Sequence, residues 1–343
     1  MNRIIGDRRE KSALDKMEEV ARQRNRDVAE EDRLEAQGKV KRKEEPFVEK
    51  PAKNKIEPLA AEVPVGPIIP IPAPSSVIHM AKARNIADTV EKEIGFIRRP
   101  EHSMGYRLYK CYPNSTISDT CYTADNAAMA MLNSLIRKKD EYSETMEGIN
   151  KSICRKSSFW RSKPAYYNFC DNPLENKVYS LEANAMMAIL HIAKNDRDIA
   201  SQLVRIIEKK TKKTDALLRH NGEISTTENA LMAIIYESIG DTARAENMKQ
   251  EIFYKNLHDV NGYYLSDKQR IVSVRANASM AILNIMLGNI QRAEAIINII
   301  ELYGTKVCNS ALFKNTKADN SWPVYTNALV GCAHAMLGGG KLF

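Results

Sequence analysis

Aromatic residues are scarce in this 343-residue chain, at 7%, and only two of them are tryptophan. Sheet cores draw on aromatic and β-branched side chains. A core supplied mostly by Ala, Leu, Ile and Met points instead to helices packed on helices. No apolar run reaches the roughly 18 residues needed to span a bilayer. The most apolar stretch, from Val63 to Ala73, is broken by Pro64, Pro67, Pro70 and Pro72. The first dozen residues are charged and lack the apolar centre of a secretory signal, so the expectation is a cytoplasmic protein without a membrane span. Charge of one sign is not concentrated either: 51 basic residues face 43 acidic ones, a net +8. No basic cluster is interleaved with aromatics, which excludes a specific nucleic-acid partner. The six cysteines include no Cys-x-x-Cys and no His pair at ligand spacing, so neither a metal nor another cofactor is expected. Cys111 with Cys121 and Cys154 with Cys170 frame two loops, and each pair fits a disulfide or two reduced thiols.

Three segments follow one another. Residues 1–43 are dense in alternating charge, as in Arg8-Arg9-Glu10-Lys11. Leu14, Met17, Ala21 and Val28 draw only a thin apolar stripe there. This extension reads as a solvated, fraying helix or as a docking helix that orders on a protein partner. Residues 44–76 form a linker holding eight of the 13 prolines. Proline fixes φ and removes a donor, so the stretch is expected to run extended. Residues 77–343 carry the folded domain.

That domain repeats. An Asn-Ala pair opens an apolar helical segment five times, at Asn126, Asn184, Asn229, Asn277 and Asn327, at intervals of 58, 45, 48 and 50 residues. Periods of this size mark arrays of supersecondary units. Each unit reads as a helix apolar on nearly all sides, a tight turn such as Gly240-Asp241 or Gly288-Asn289, and a second helix with one apolar face. A buried helix followed by an amphipathic one is the pattern of a double-layered, all-α α/α toroid. The connections between pairs are long, and all lead into the inner helices, so they are expected on one face. Asn261-Gly262 before Tyr263-Tyr264 suggests a small hairpin there.

The blocks Tyr122-Thr123-Ala124-Asp125-Asn126-Ala127 and Asn261-Gly262-Tyr263-Tyr264, with Val274-Arg275-Ala276-Asn277-Ala278 and Leu287-Gly288-Asn289, resemble the six-hairpin glycosidase-like superfamily, the (α/α)6 barrel. The resemblance covers roughly residues 100–343, with five clear Asn-Ala units and a partial sixth helix between Ile78 and Ile97. It implies a carbohydrate ligand, and acidic residues near the inner-helix starts acting as general acid and base.

A feature present in every repeat is architectural, so the five Asn residues are expected to tie loops to helices. The informative positions are those where the repeats differ. Asp125, Glu182 and Glu228 stand one or two residues before the repeat Asn, in the first turn of an inner helix. Two carboxylates about 5 to 10 Å apart across such a mouth can hydrolyse a glycosidic bond. Acids there also complement the helix dipole, which is the structural alternative for each. On the first account Asp125 and Glu228 are acid and base, with Glu182 in support. Arg275 occupies the position of Glu182 in its own repeat, where it neutralises an acid or binds an anionic group. Trp160, Trp322 and Tyr325 lie on the loop side, where flat rings suit either sugars or loop anchoring. The functional expectation is an inverting glycoside hydrolase or a related sugar-processing enzyme; the alternative is a non-catalytic helical scaffold.

Overall fold

The computed structural model describes residues 76–99, 106–110, 121–154, 179–255, 257–303, 312–316 and 323–341. The expectations for the charged extension 1–43 and for most of the linker therefore fall outside the described residues.

The described residues form ten helices and three two-stranded antiparallel hairpins. Inner helices are α2 (Thr123–Leu135), α4 (Leu181–Ala193), α6 (Thr226–Ser238), α8 (Val274–Met286) and α10 (Val324–Leu337). Their sequences carry Ala, Met, Leu and Ile on every side, and nearly every residue of each is buried. Outer helices are α1 (Ser76–Glu93), α3 (Lys139–Cys154), α5 (Arg197–Lys210), α7 (Thr242–Tyr254) and α9 (Ile290–Tyr303). In α7 only Ala245, Met248 and Ile252 are buried, a one-sided stripe at helical spacing.

The inner helices pack in the cycle α2, α4, α6, α8, α10 and back to α2, which closes a ring. Each of α3, α5, α7 and α9 backs the inner helix before it. The inner helix α10 is backed instead by α1. The partial sixth helix expected near 78–97 is thus the outer half of the hairpin that closes the ring. Close approach at this seam is secured by Gly331 in α10, where a Cβ would lie 2.8 Å from Leu132 of α2.

The inner-to-outer turns need a left-handed residue, which is Gly240 (φ 87°) and Gly288 (φ 75°) in two repeats but Arg137 (φ 66°) and Asn195 (φ 61°) in two others. Ahead of the inner helices come the small hairpins: β1 (Phe96–Arg99) with β2 (Tyr106–Tyr109) before α2, β3 (Lys212–Thr214) with β4 (Leu217–Arg219) before α6, and β5 (His258–Asp259) with β6 (Gly262–Tyr263) before α8. The last of these is the hairpin that Asn261-Gly262 signals.

The repeat asparagines do what a repeated polar residue should. Asn229 accepts from the backbone N–H of Leu218 (2.7 Å) and donates to the carbonyls of Leu218 (3.0 Å) and Ser225 (2.9 Å). Asn126 makes the same three bonds to Tyr109 and Tyr122, Asn277 to Tyr263 and Ser273, and Asn327 to Phe313 and Pro323. Each side chain acts as one more strand beside the loop residue it holds. Asn184 donates to the Ser180 carbonyl (2.6 Å).

The closing seam holds a buried imidazole pair. His79 of α1 and His334 of α10 meet Nδ1 to Nδ1 at 2.9 Å, and His79 Nε2 has no partner among the described residues. Burial, with His334 and Lys82 adding to it and Glu301 opposing, lowers the His79 pKa to about 4. Between that value and the ordinary 6.5, the unfolded chain binds a proton that the folded one refuses, so stability falls as pH drops through this window. The loss reaches at most about 3 kcal/mol. Thermal unfolding of His79→Leu between pH 7 and 4 is expected to show a shallower acid slope than wild type; equal slopes would contradict this account.

Candidate functional site

Each inner helix begins at the same end of the ring, and its first turn delivers one side chain to the centre. Ser180, Ser225 and Ser273 cap α4, α6 and α8 by accepting from Ala183, Glu228 and Ala276 backbone N–H groups. The α8 start is held a second time: the Asn315 side chain accepts from the Arg275 backbone N–H (3.1 Å) and from the Ser273 hydroxyl (2.8 Å). These caps set the register at which Glu182, Glu228 and Arg275 leave their helices.

Arg275 reaches Glu182 at 3.3 Å. The two come from α8 and α4, which are not neighbours in the ring but both adjoin α6. The Arg275 guanidinium also lies 5.7 Å from the centre of the Tyr325 ring, a cation over an aromatic face. Both members of the ion pair keep some solvent contact, with side-chain exposures of 26% for Arg275 and 19% for Glu182. Burial works against the Arg275 charge, and Glu182, Tyr325, Glu228 and Asp125 more than restore it. Glu182 is itself pushed up by burial and by Glu228, against the pull of Arg275 and His220.

Asp125 is 94% buried in the first turn of α2 and accepts a backbone hydrogen bond from Tyr325 of α10. A helix N-terminus favours a charged carboxylate by roughly 0.3–1 kcal/mol. Desolvation of a fully buried acid outweighs that several-fold. Burial first, and the charge of Glu182 second, hold the Asp125 carboxyl at about 8, with Arg275 and the Tyr325 N–H opposing. It therefore carries a proton at neutral pH.

Glu228 of α6 accepts from His220 Nδ1 at 3.0 Å. Tyr179 stands edge-on to the His220 ring with centroids 6.0 Å apart. The hydrogen bond to Glu228 raises the His220 pKa, with burial opposing. Several polar atoms in this region have no partner among the described residues: Arg275 Nε, Tyr325 OH, Tyr179 OH, and the hydroxyls of Thr227 and Thr326. Buried donors without partners cost about 1–3 kcal/mol each.

Asp125, Glu182, Glu228, Arg275 and Tyr325 are thus brought together. Trp160 and Trp322 lie outside the described residues, as do Cys111 and Cys170. Cys121 is buried, with its thiol 3.9 Å from the Leu108 carbonyl. From the sequence His220 is placed near the loop face but not among the site residues, and Tyr179 is not singled out. The signal for His220 was Asn221-Gly222, a type I′ turn dipeptide. Both its residues are left-handed (φ 50° and 78°), and His220 and Glu223 exchange backbone bonds across it.

No family model matches the sequence, and no curated protein matches it. Among solved structures, the chain is similar to a GH76 alpha-mannanase of Bacteroides thetaiotaomicron, at 11% identity and a TM-score of 0.49 over 77% of this chain and 84% of that one. A family 76 glycoside hydrolase from a bovine strain of the same organism gives 10% and 0.45, over 77% and 78%. PssZ of Listeria monocytogenes gives 8% and 0.41, over 75% and 94%. The helices themselves establish the toroid, and the chemistry of the site rests on its own residues.

Proposed function

We propose that the first-turn end of the ring is the active site of a carbohydrate-active hydrolase that cleaves a glycosidic bond with inversion. What supports this reading is the convergence of Asp125, Glu182 and Glu228 on Arg275, the first with its carboxyl raised by burial, beside side-chain donors that have no partner among the described residues. A polyhydroxylated ligand satisfies such donors.

In this reading Asp125, protonated at neutral pH, donates its proton to the departing glycosidic oxygen. Glu228 withdraws a proton from the attacking water, and the carbon–oxygen bond to that water forms on the opposite face of the sugar. Glu182, held by Arg275, supports positive charge developing on the ring carbon. A carboxyl that burial keeps protonated, as at Asp125, is what the general acid of such a pair requires.

Glu228→Gln is the test, with reducing ends released from a panel of neutral and acidic polysaccharides as the readout. Wild type is expected to turn over at least one glycan and the variant to lose at least about 100-fold in kcat, since a general base contributes about 10²–10⁴. Full activity in the variant removes the role from Glu228. The scaffold alternative has its own support, because Glu182 and Glu228 already have partners inside the ring; a wild-type protein inert to the whole panel would favour it.

A further inference from the structure

The hairpin that carries His220 is braced more heavily than a surface turn requires. Arg219 donates to the Gly222 carbonyl (2.7 Å) and to Asp267 (3.0 Å), and Asp267 accepts from the Ile224 N–H (2.8 Å). Glu223 accepts from the Ser266 hydroxyl at 3.0 Å. Below the turn, Asn229 fixes Leu218 by both backbone groups. Two neighbouring segments, α6 and the 265–269 loop, therefore immobilise a turn whose first residue points its imidazole at Glu228. The side chains of His220 and Glu228 are both largely buried, 16% and 14% exposed.

We propose that His220 is a positioning residue that fixes the orientation and ionisation of Glu228 through its Nδ1 hydrogen bond, with Tyr179 closing the far side of the ring. The inference rests on the hydrolase reading of the same site. The Nδ1–H donor occupies one lone pair of Glu228 Oε1, so the carboxylate cannot rotate and presents its other oxygen to water. Charged groups acting on this imidazole are Glu228 and, more weakly, Glu182; both favour its protonated form. A raised imidazole pKa keeps the donor in place on the acid side of neutrality, where it stabilises the ionised carboxylate. The proton exchanged with Glu228 in catalysis stays with the carboxylate and returns to solvent, so the imidazole is neither consumed nor changed over the cycle.

The experiment uses the full-length protein and two readouts. First, the His220 imidazole is titrated by NMR in wild type and in Glu228→Gln. The expected result is a wild-type value above 6.5 that falls in the variant. Second, kcat, KM and the pH profile are measured for His220→Ala and His220→Asn, whose amide nitrogen takes the place of Nδ1. His220→Ala is expected to lower kcat about 30- to 100-fold with KM within about threefold, and to move the acid limb to higher pH. His220→Asn is expected to recover at least tenfold of that loss. An imidazole indifferent to Glu228→Gln overturns the proposal on geometry, whatever the turnover. Wild-type kcat and an unshifted limb in His220→Ala overturn it on role. A responsive imidazole in a protein that cleaves no glycan overturns it through its premise, which separates that failure from the other two.

Discussion

Replacing Asn229 with alanine is expected to cost about 4 kcal/mol of stability, from the loss of one side chain and no gross change in packing. The estimate follows from what is left behind. Leu218 keeps a buried N–H and a buried C=O with no partner, and the Ser225 carbonyl loses its side-chain donor. Each orphaned group costs about 1–3 kcal/mol. A loss of this size lowers the melting temperature of a domain like this one by about 10 °C. Asn229→Asp tests the direction of the bonds. It keeps an acceptor for the Leu218 N–H, loses both donors and buries a charge, so it is expected to be no better than alanine. Chemical and thermal unfolding measure both variants, and a loss under about 1 kcal/mol would show that the hairpin is held by other means. Because Leu218 is two residues from His220, the same variant is expected to disturb the site.

The asparagines also mark how far the sequence could be read. Their period was legible because each repeat solves the same problem, a loop residue whose two backbone groups need partners next to a helix start. Inner and outer helices were legible because burial on all sides and burial on one side leave different patterns, as in α4 and α7. The closed toroid was legible too, but the helix that completes it was not. The pairing of α1 with α10 joins segments some 250 residues apart, α1 carries no Asn-Ala mark, and its imidazole contact is a tertiary fact. Within the site, Glu182, Arg275 and Tyr325 stand at one repeat position with three different chemistries, which is why that position could be singled out. An ion pair for Arg275 was legible, but not which acid it holds, because Glu182 lies 93 residues away, and the His220 partner of Glu228 arrives on a turn. The protonation of Asp125 was the least legible feature. A first-turn acid reads as a favourable cap, and only its burial against α10 and the charge of Glu182 reverse that expectation.

Asp125→Asn is expected to abolish turnover, by about a thousandfold or more, while leaving the protein as stable as wild type or more so. Both halves follow from one fact, a carboxyl held at about 8 by burial and by Glu182. At neutral pH the native side chain is already uncharged, and asparagine is its neutral isostere, able to accept the Tyr325 N–H as before. What asparagine lacks is the proton that the leaving oxygen needs. The stability sign is worked out from linkage: from about 4 to about 8 the folded protein holds a proton that the unfolded chain has released, so wild-type stability falls by roughly 1.4 kcal/mol per pH unit across that window. Asp125→Asn removes the slope and is expected to melt higher than wild type at pH 8. The pH profile carries the same signature, with wild-type kcat falling through an alkaline limb near pH 8 as the acid loses its proton. If the variant is inactive but also unstable, with the wild-type pH slope retained, the Asp125 carboxyl is ionised and serves the fold as an anion. If it is active, the leaving group takes its proton from elsewhere. An inactive, stabilised variant without the alkaline limb leaves the proton of Asp125 as the group that activity requires and stability would do without, the opposition expected where a fold holds a residue for chemistry.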